Sequence, residues 1–198
     1  MISGMGFFSS DPVATEKKQL AEILSQLAGR PTDVRLLMKA AEAEHKLSLP
    51  AEAAKHYAVA AERYAEEGFL LKAVAVNKIA IGLTPDSAAL LEAEAGYYAQ
   101  LDLVPDAFEA LKRAIALHET RGDLDSGMAA RKKLLAIDPD NAAGRVALAE
   151  FFVARGDVPR AMEELAKVAV QLHLHGKHLD RDRVNARVAA LKRRLSPA

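Results

Sequence analysis

The chain has 198 residues and 51% hydrophobic side chains, but only 5% are aromatic, none is Trp, and Ala fills 40 positions. Such a chain can bury a substantial core, but it builds that core from small side chains, and because Ala favours helices and is depleted from strands it is poorly suited to a sheet. The 27 basic and 27 acidic residues cancel, which removes any global reason to bind a polyanion. The absence of Cys rules out disulfides, thiolate nucleophiles and thiolate metal ligands together, and fits a cytoplasmic location.

From Met1 to Asp11 there is a short apolar patch around Phe7 and Phe8, without a basic flank or an apolar run of signal length. Residues 1–12 are read as a flexible N-terminus. No stretch reaches the roughly 18 apolar residues that a bilayer span requires, so membrane insertion is not expected.

Breaks at Gly29-Arg30-Pro31, Ser48-Leu49-Pro50, Glu67-Gly68, Thr84-Pro85-Asp86 and Leu103-Val104-Pro105 punctuate the first half. Gly122-Asp123, Asp138-Pro139-Asp140, Gly156-Asp157 and Leu174 to Asp180 punctuate the second. Between them apolar residues recur at three and four positions, the period of an amphipathic helix. The predicted helices cover 13–28, 32–47, 50–66, 69–82, 86–101, 105–121, 124–136, 141–154, 158–173 and 180–195. Asp and Pro at their starts supply caps and a preset first turn. Residues 13–175 form the helical domain and 176–198 a basic capping helix and tail.

Two passages share a spacing. Ala61 to Pro85 reads AERYAEEGFLLKAVAVNKIAIGLTP and Ala149 to Val168 reads AEFFVARGDVPRAMEELAKV, each with a small residue, an aromatic three on, then Gly and Ala at matching intervals. This resembles the tetratricopeptide repeat (TPR), a helix-turn-helix unit of about 34 residues that stacks into a solenoid. A frame starting at residue 54 places Tyr57, Ala60, Ala61, Tyr64, Gly68, Ala73, Asn77, Ala80 and Pro85 on the family's pattern. Frames at 88 and 142 place Leu91, Ala95, Tyr98, Ala107 and Leu111, then Leu148, Ala149, Phe152, Gly156, Ala161 and Leu165; Arg145 departs from the usual Trp or Leu. Weaker frames at 34 and 108 overlap the frames at 54 and 88, each pair slipping by the same step. One helix then fills two roles, packing on both its predecessor and its successor. The implied fold is all-α, a right-handed TPR-like solenoid of about ten helices, with Ala61, Ala73, Ala95, Ala107, Ala149 and Ala161 where helices approach most closely.

What the resemblance implies about function is protein binding, through a concave groove that holds a peptide or helix. Its groove positions fall on Arg35, Met38 and Glu42, on Lys55, Ala58 and Glu62, on Glu92 and Ala99, and on Val146, Glu150 and Val153. This surface is small and partly acidic, and it lacks the Lys-Asn set that clamps a terminal carboxylate. The compatible partner is another protein presenting a basic amphipathic helix or peptide with apolar anchors. Homo-oligomer assembly through the solenoid is the alternative, and nucleic acid is disfavoured.

No Ser-His-Asp pattern, phosphate-binding Gly loop, HExxH motif or Cys set occurs, so a noncatalytic chain without cofactor or metal is expected. His173, His175 and His178 sit at a helix end, where they suit exposed carbonyls better than a metal. Residues 176–198 carry a formal charge of +5 against −5 for the remainder. Val184, Val188 and Leu191 there read as a cap over the last repeat, with Arg187, Lys192, Arg193 and Arg194 turned outward.

Overall fold

The computed structural model describes residues 11–195, with side chains described as far as Arg193. Phe7, Phe8 and the rest of residues 1–10, and the side chain of Arg194, lie outside the described residues.

Ten α-helices and no strand occur among the described residues: α1 (Pro12–Gly29), α2 (Val34–Lys46), α3 (Pro50–Glu66), α4 (Leu70–Leu83), α5 (Ala88–Gln100), α6 (Val104–Thr120), α7 (Leu124–Ile137), α8 (Ala142–Ala154), α9 (Val158–Leu174) and α10 (His178–Leu195). Each lies within a few residues of its predicted span, and the fold is the expected all-α helical repeat. The caps explain the starts. Asp33 accepts from the backbone N–H groups of Arg35 and Leu36, Asn141 from Gly144 and Asp123 from Ser126, satisfying donors that the helix leaves free.

The helices recur in threes. The first helices of three successive groups, α2, α5 and α8, begin at Val34, Ala88 and Ala142, a constant interval. The second helices begin at Pro50, Val104 and Val158, and the third at Leu70, Leu124 and His178, with that same interval. The turns follow suit. Gly68, Gly122 and Gly176, spaced alike, all have positive φ, as do Ser48, Asp102 and Gly156 one turn earlier. This three-helix period is the step between the TPR frames at 34, 88 and 142, and the frames at 54 and 108 fall within it.

At the second of these sets of turns the left-handed conformation is held by Gly in one group but by Ser48 (φ 59°) and Asp102 (φ 57°) in the others. A residue with a Cβ pays roughly 1–2 kcal/mol there relative to its right-handed form. Ser48→Gly is therefore expected to raise the stability by up to about 1 kcal/mol, since Gly's extra chain entropy offsets part of the relief. Urea denaturation checks it, and a loss of stability would contradict the conformational account.

The chain divides into two compact units, one holding α1–α5 and ending at Leu101, the other starting at Asp102 and holding α6–α10. In the first, α3 packs on both α2 and α4, which is why the frames at 34 and 54 can share it. Its core is made by Leu37, Tyr57 and Leu91 around Ala40, Ala61, Ala73 and Ala80, and these Ala have no exposed surface. Backbones this close leave room for a methyl group and little else. In the second unit, α9 packs on α8 and α10, and Met128, Leu148, Ala149, Phe152, Ala161, Leu165 and Leu191 form one cluster.

Each unit also buries polar groups. In the first, Asn77 Nδ2 donates to the carbonyl of Leu90 at 2.9 Å, tying α4 to the first turn of α5, and Glu44 Oε2 lies 2.6 Å from His56 Nδ1. In the second, Arg145 occupies the repeat position of Leu37 and Leu91. Its guanidinium donates to the Pro139 carbonyl at 3.0 and 2.8 Å and to Glu164 at 2.8 Å, while Lys167 reaches Glu164 at 2.5 Å. The departure from the family pattern at residue 145 is thus an ion network in place of an apolar contact.

Candidate protein-binding surface

The eleven groove candidates divide between the units, and each unit treats its share differently. On α2, Arg35 and Glu42 are exposed and Met38 is half-buried; their spacing of three and four residues keeps them on one face. On α3, Lys55 and Glu62 are exposed and Ala58 is half-buried; on α5, Glu92 and Ala99 are half-buried. Lys55 and Ala58, with Ala51 and Ala54 of α3, meet Thr84, Ser87 and Leu90 around an apolar hollow of about 260 Å³. The start of α5 therefore lies beside the start of α3.

The other ends of the same helices are linked by charge. Burial pushes the Tyr97 phenol of α5 up from its ordinary range, and the carboxylates of Glu62 and Glu66 on α3 raise it further. Burial likewise raises Tyr57, with Glu42 of α2 adding to the effect. A carboxylate disfavours a nearby phenolate, so these glutamates add to an upward shift that burial dominates. Glu66 is paired with Arg63 on its own helix. Tyr97 and Glu66 were not among the sequence candidates. The available signal was the Tyr97-Tyr98 pair, of which only Tyr98 falls on the repeat pattern, leaving its neighbour to be accounted for by another surface.

In the second unit one α8 candidate pairs with α10 and the other two pack on the core. Val146 and Val153 pack against the core cluster together with Val184 and Val188, and Glu150 pairs with Arg187 at 3.2 Å. Leu191 is buried in that cluster, as a cap requires. Arg187, expected to point outward, is exposed and pairs at the surface with the likewise exposed Glu150. At the α9 terminus His175 Nδ1 lies 2.8 Å from the Gln171 carbonyl, and His173 Nδ1 is 3.1 Å from Arg181. These two histidines are thus used locally at the helix end, with the His178 ring beside that of His173.

Stacked antiparallel helices, Ala at the closest approaches and Gly at left-handed turns define a helical-repeat protein. Residues 92–173, from α5 to α9, match the family profile described as Tetratricopeptide repeat, the family that the sequence resembles. Among solved structures it is similar to the MamA protein, with 16% identity over 83% of this chain and 96% of the other and a TM-score of 0.42. It is also similar to YrrB, titled a TPR protein with an unusual peptide-binding site, with 15% identity over 81% and 97% and a TM-score of 0.35. TTC0263, a thermophilic TPR protein of Thermus thermophilus, gives 24% identity over 90% and 91% and a TM-score of 0.31. No curated protein matches the chain. No helix among the described residues is long and apolar enough to cross a membrane.

Proposed function

We propose that this chain is a noncatalytic protein-interaction adaptor that holds a basic amphipathic helix or peptide on the α2–α3–α5 side of its first unit. The observation carrying this reading is the arrangement of Glu42 and Glu62 as exposed carboxylates beside half-buried Met38 and Ala58, with their charge adding to the upward shifts of Tyr57 and Tyr97. Apolar anchors of a partner would rest on the small residues while its Lys or Arg side chains met the carboxylates. The tetratricopeptide repeat supports this class of activity. The pairing of Glu150 with Arg187 and the packing of Val146 and Val153 on the core cluster move the weight of the reading from α8 to the first unit. Residence in the cytoplasm belongs to the same proposal.

The test is a double substitution, Glu42→Gln with Glu62→Gln, on the full chain. Titration calorimetry against a panel of helical peptides, with net charges from negative to positive and equal apolar content, is expected to show tighter binding as positive charge rises. That trend should flatten in the double variant, with the circular dichroism spectrum unchanged. Charge-independent binding by the native chain would refute the acidic groove.

A further inference from the structure

Helix α4 is apolar on both of its sides. Of its 14 residues only Lys72, Asn77 and Lys78 carry polar side chains, and Asn77 is buried and tied to α5. One side packs on α3 and α5 and holds every buried residue of the helix. The other side is open: Leu71, Ala75, Ile79 and Gly82 recur at three and four residues, with Leu71 72% and Ile79 46% exposed. A helix that is apolar all round belongs inside a structure, and this one keeps a side in water.

The three-helix period supplies an internal control. The positions of Leu71 and Ile79 are taken by Lys17 and Ser25 in α1, by Asp125 and Lys133 in α7, and by Leu179 and Arg187 in α10, and all six are exposed. Every other copy thus places a charged side chain on this face, as contact with water alone requires, and α4 places none there. Nor is α4 at the end of the array, since the helices before and after it are both packed against it. Ala75 and Gly82, seven residues apart, leave room for another backbone to come close, and nothing lies within 4 Å of where a Cβ on Gly82 would stand.

Charge decides what covers the face. At about 100° per residue Lys78 falls on one edge of the apolar stripe and Lys72 on the other. Lys72 Nζ lies 4.5 Å from the centre of the Phe69 ring and Lys78 Nζ 5.5 Å from that of Tyr98, contacts that keep both ammonium groups at the edges. No acidic residue occurs on α4 to answer them. We infer that this face of α4 is a second docking surface, which takes an amphipathic helix of a partner protein whose apolar ridge lies on Leu71, Ala75 and Ile79 and whose flanking Asp or Glu residues pair with Lys72 and Lys78. A second copy meeting it through the same face would gather the lysines of both copies around one seam. An anionic bilayer would meet the whole unit, which carries thirteen acidic residues against ten basic ones, whereas a single helix meets α4 alone.

The probes are two helix-constrained, dye-labelled peptides with the same Leu ridge, one flanked by Glu and the other by Gln. Fluorescence anisotropy with the full chain is expected to give saturable binding of the Glu-flanked peptide, tighter than that of the Gln-flanked one. Leu71→Asp combined with Ile79→Asp should weaken it at least about tenfold, since each buries a charge against an apolar helix. Lys72→Gln with Lys78→Gln should remove the difference between the two peptides. Should the Asp variant lose helicity by circular dichroism, the milder pair Leu71→Gln and Ile79→Gln carries the same comparison. Glu42→Gln with Glu62→Gln, in the acidic groove that repels this peptide, should not weaken its binding, so either surface can fail alone. Absence of saturable binding, equal affinity for the two peptides, or indifference to the α4 substitutions would overturn the assignment. So would a dimer of the unlabelled chain in sedimentation velocity, or its co-sedimentation with phosphatidylserine-containing vesicles, that the α4 substitutions abolish, since the occupant would then be a second copy or a lipid surface.

Discussion

Ala73→Leu is expected to destabilise the first unit by about 1–3 kcal/mol, and Ala161→Leu the second by a similar amount. Both side chains have no exposed surface, and each sits on a helix that packs on the helix before it, Ala73 in α4 on α3 and Ala161 in α9 on α8. The three added carbons enter a site where Ala already has no exposed surface. They must push apart backbones held at the separation that Ala permits, or take up a strained rotamer, and neither change is local in a close-packed interior. Equilibrium urea denaturation gives the magnitude. The midpoint should fall for both variants, and unchanged midpoints at both sites would show that the helices do not approach at these positions.

A comparable loss, about 2–3 kcal/mol, is expected for Glu164→Ala. The substitution leaves the half-buried guanidinium of Arg145 without its carboxylate, and breaking a partly buried pair from one side is more costly than never having made it. The figure lies below that for full burial because Arg145 retains the Pro139 carbonyl and Lys167 reaches solvent. The same site has a pH signature. Burial alone would raise the Glu164 carboxyl, but hydrogen bonds from Lys167 and Arg145, with their charges, outweigh it and hold it below the ordinary carboxylate range. A carboxylate with a depressed folded pKa contributes stability above its unfolded pKa, and that contribution is lost as pH falls through the folded value. Stability measured from neutral pH downward should therefore decline through the acidic range in the native chain. In Glu164→Gln, whose starting stability is lower, this component of the decline should be missing; an identical slope in both would disprove the linkage.

How much of this was legible in the sequence varies with the physics of each element. The ten helices were readable because Pro, Gly and Asp stand at nearly every turn and the intervals between them show one clear period. The slip between overlapping frames was visible too, and α3 does pack on both neighbours. Arg145 stood out as a misfit, but its partners, Pro139 and Glu164, are 6 and 19 residues away, and no local rule pairs them. Val146, Glu150 and Val153 have the spacing of a groove face, yet only the folded chain shows that the two valines pack on the same core cluster as Val184 and Val188 and that Glu150 pairs with Arg187. Tyr97 was hidden for a similar reason: its neighbours Glu62 and Glu66 come from α3, with α4 intervening in the chain. Local chemistry fixes the helices and the caps, whereas which helix faces share a neighbour depends on contacts between helices distant in sequence.

The three-helix period has a directional consequence. Each short turn reverses the chain, and three turns separate α2 from α5 in the first unit, as three separate α6 from α9 in the second. Within a unit, two helices at the same place in successive groups therefore run in opposite senses. Their macrodipoles oppose one another, and the positive end of one lies at the same level as the negative end of the other. An odd number of helices per copy thus keeps a duplicated side chain from recurring at the same height one period later. A substitution propagated by duplication of this module would change opposite edges of a unit, so that a surface built by repetition here is a checkerboard instead of a stripe.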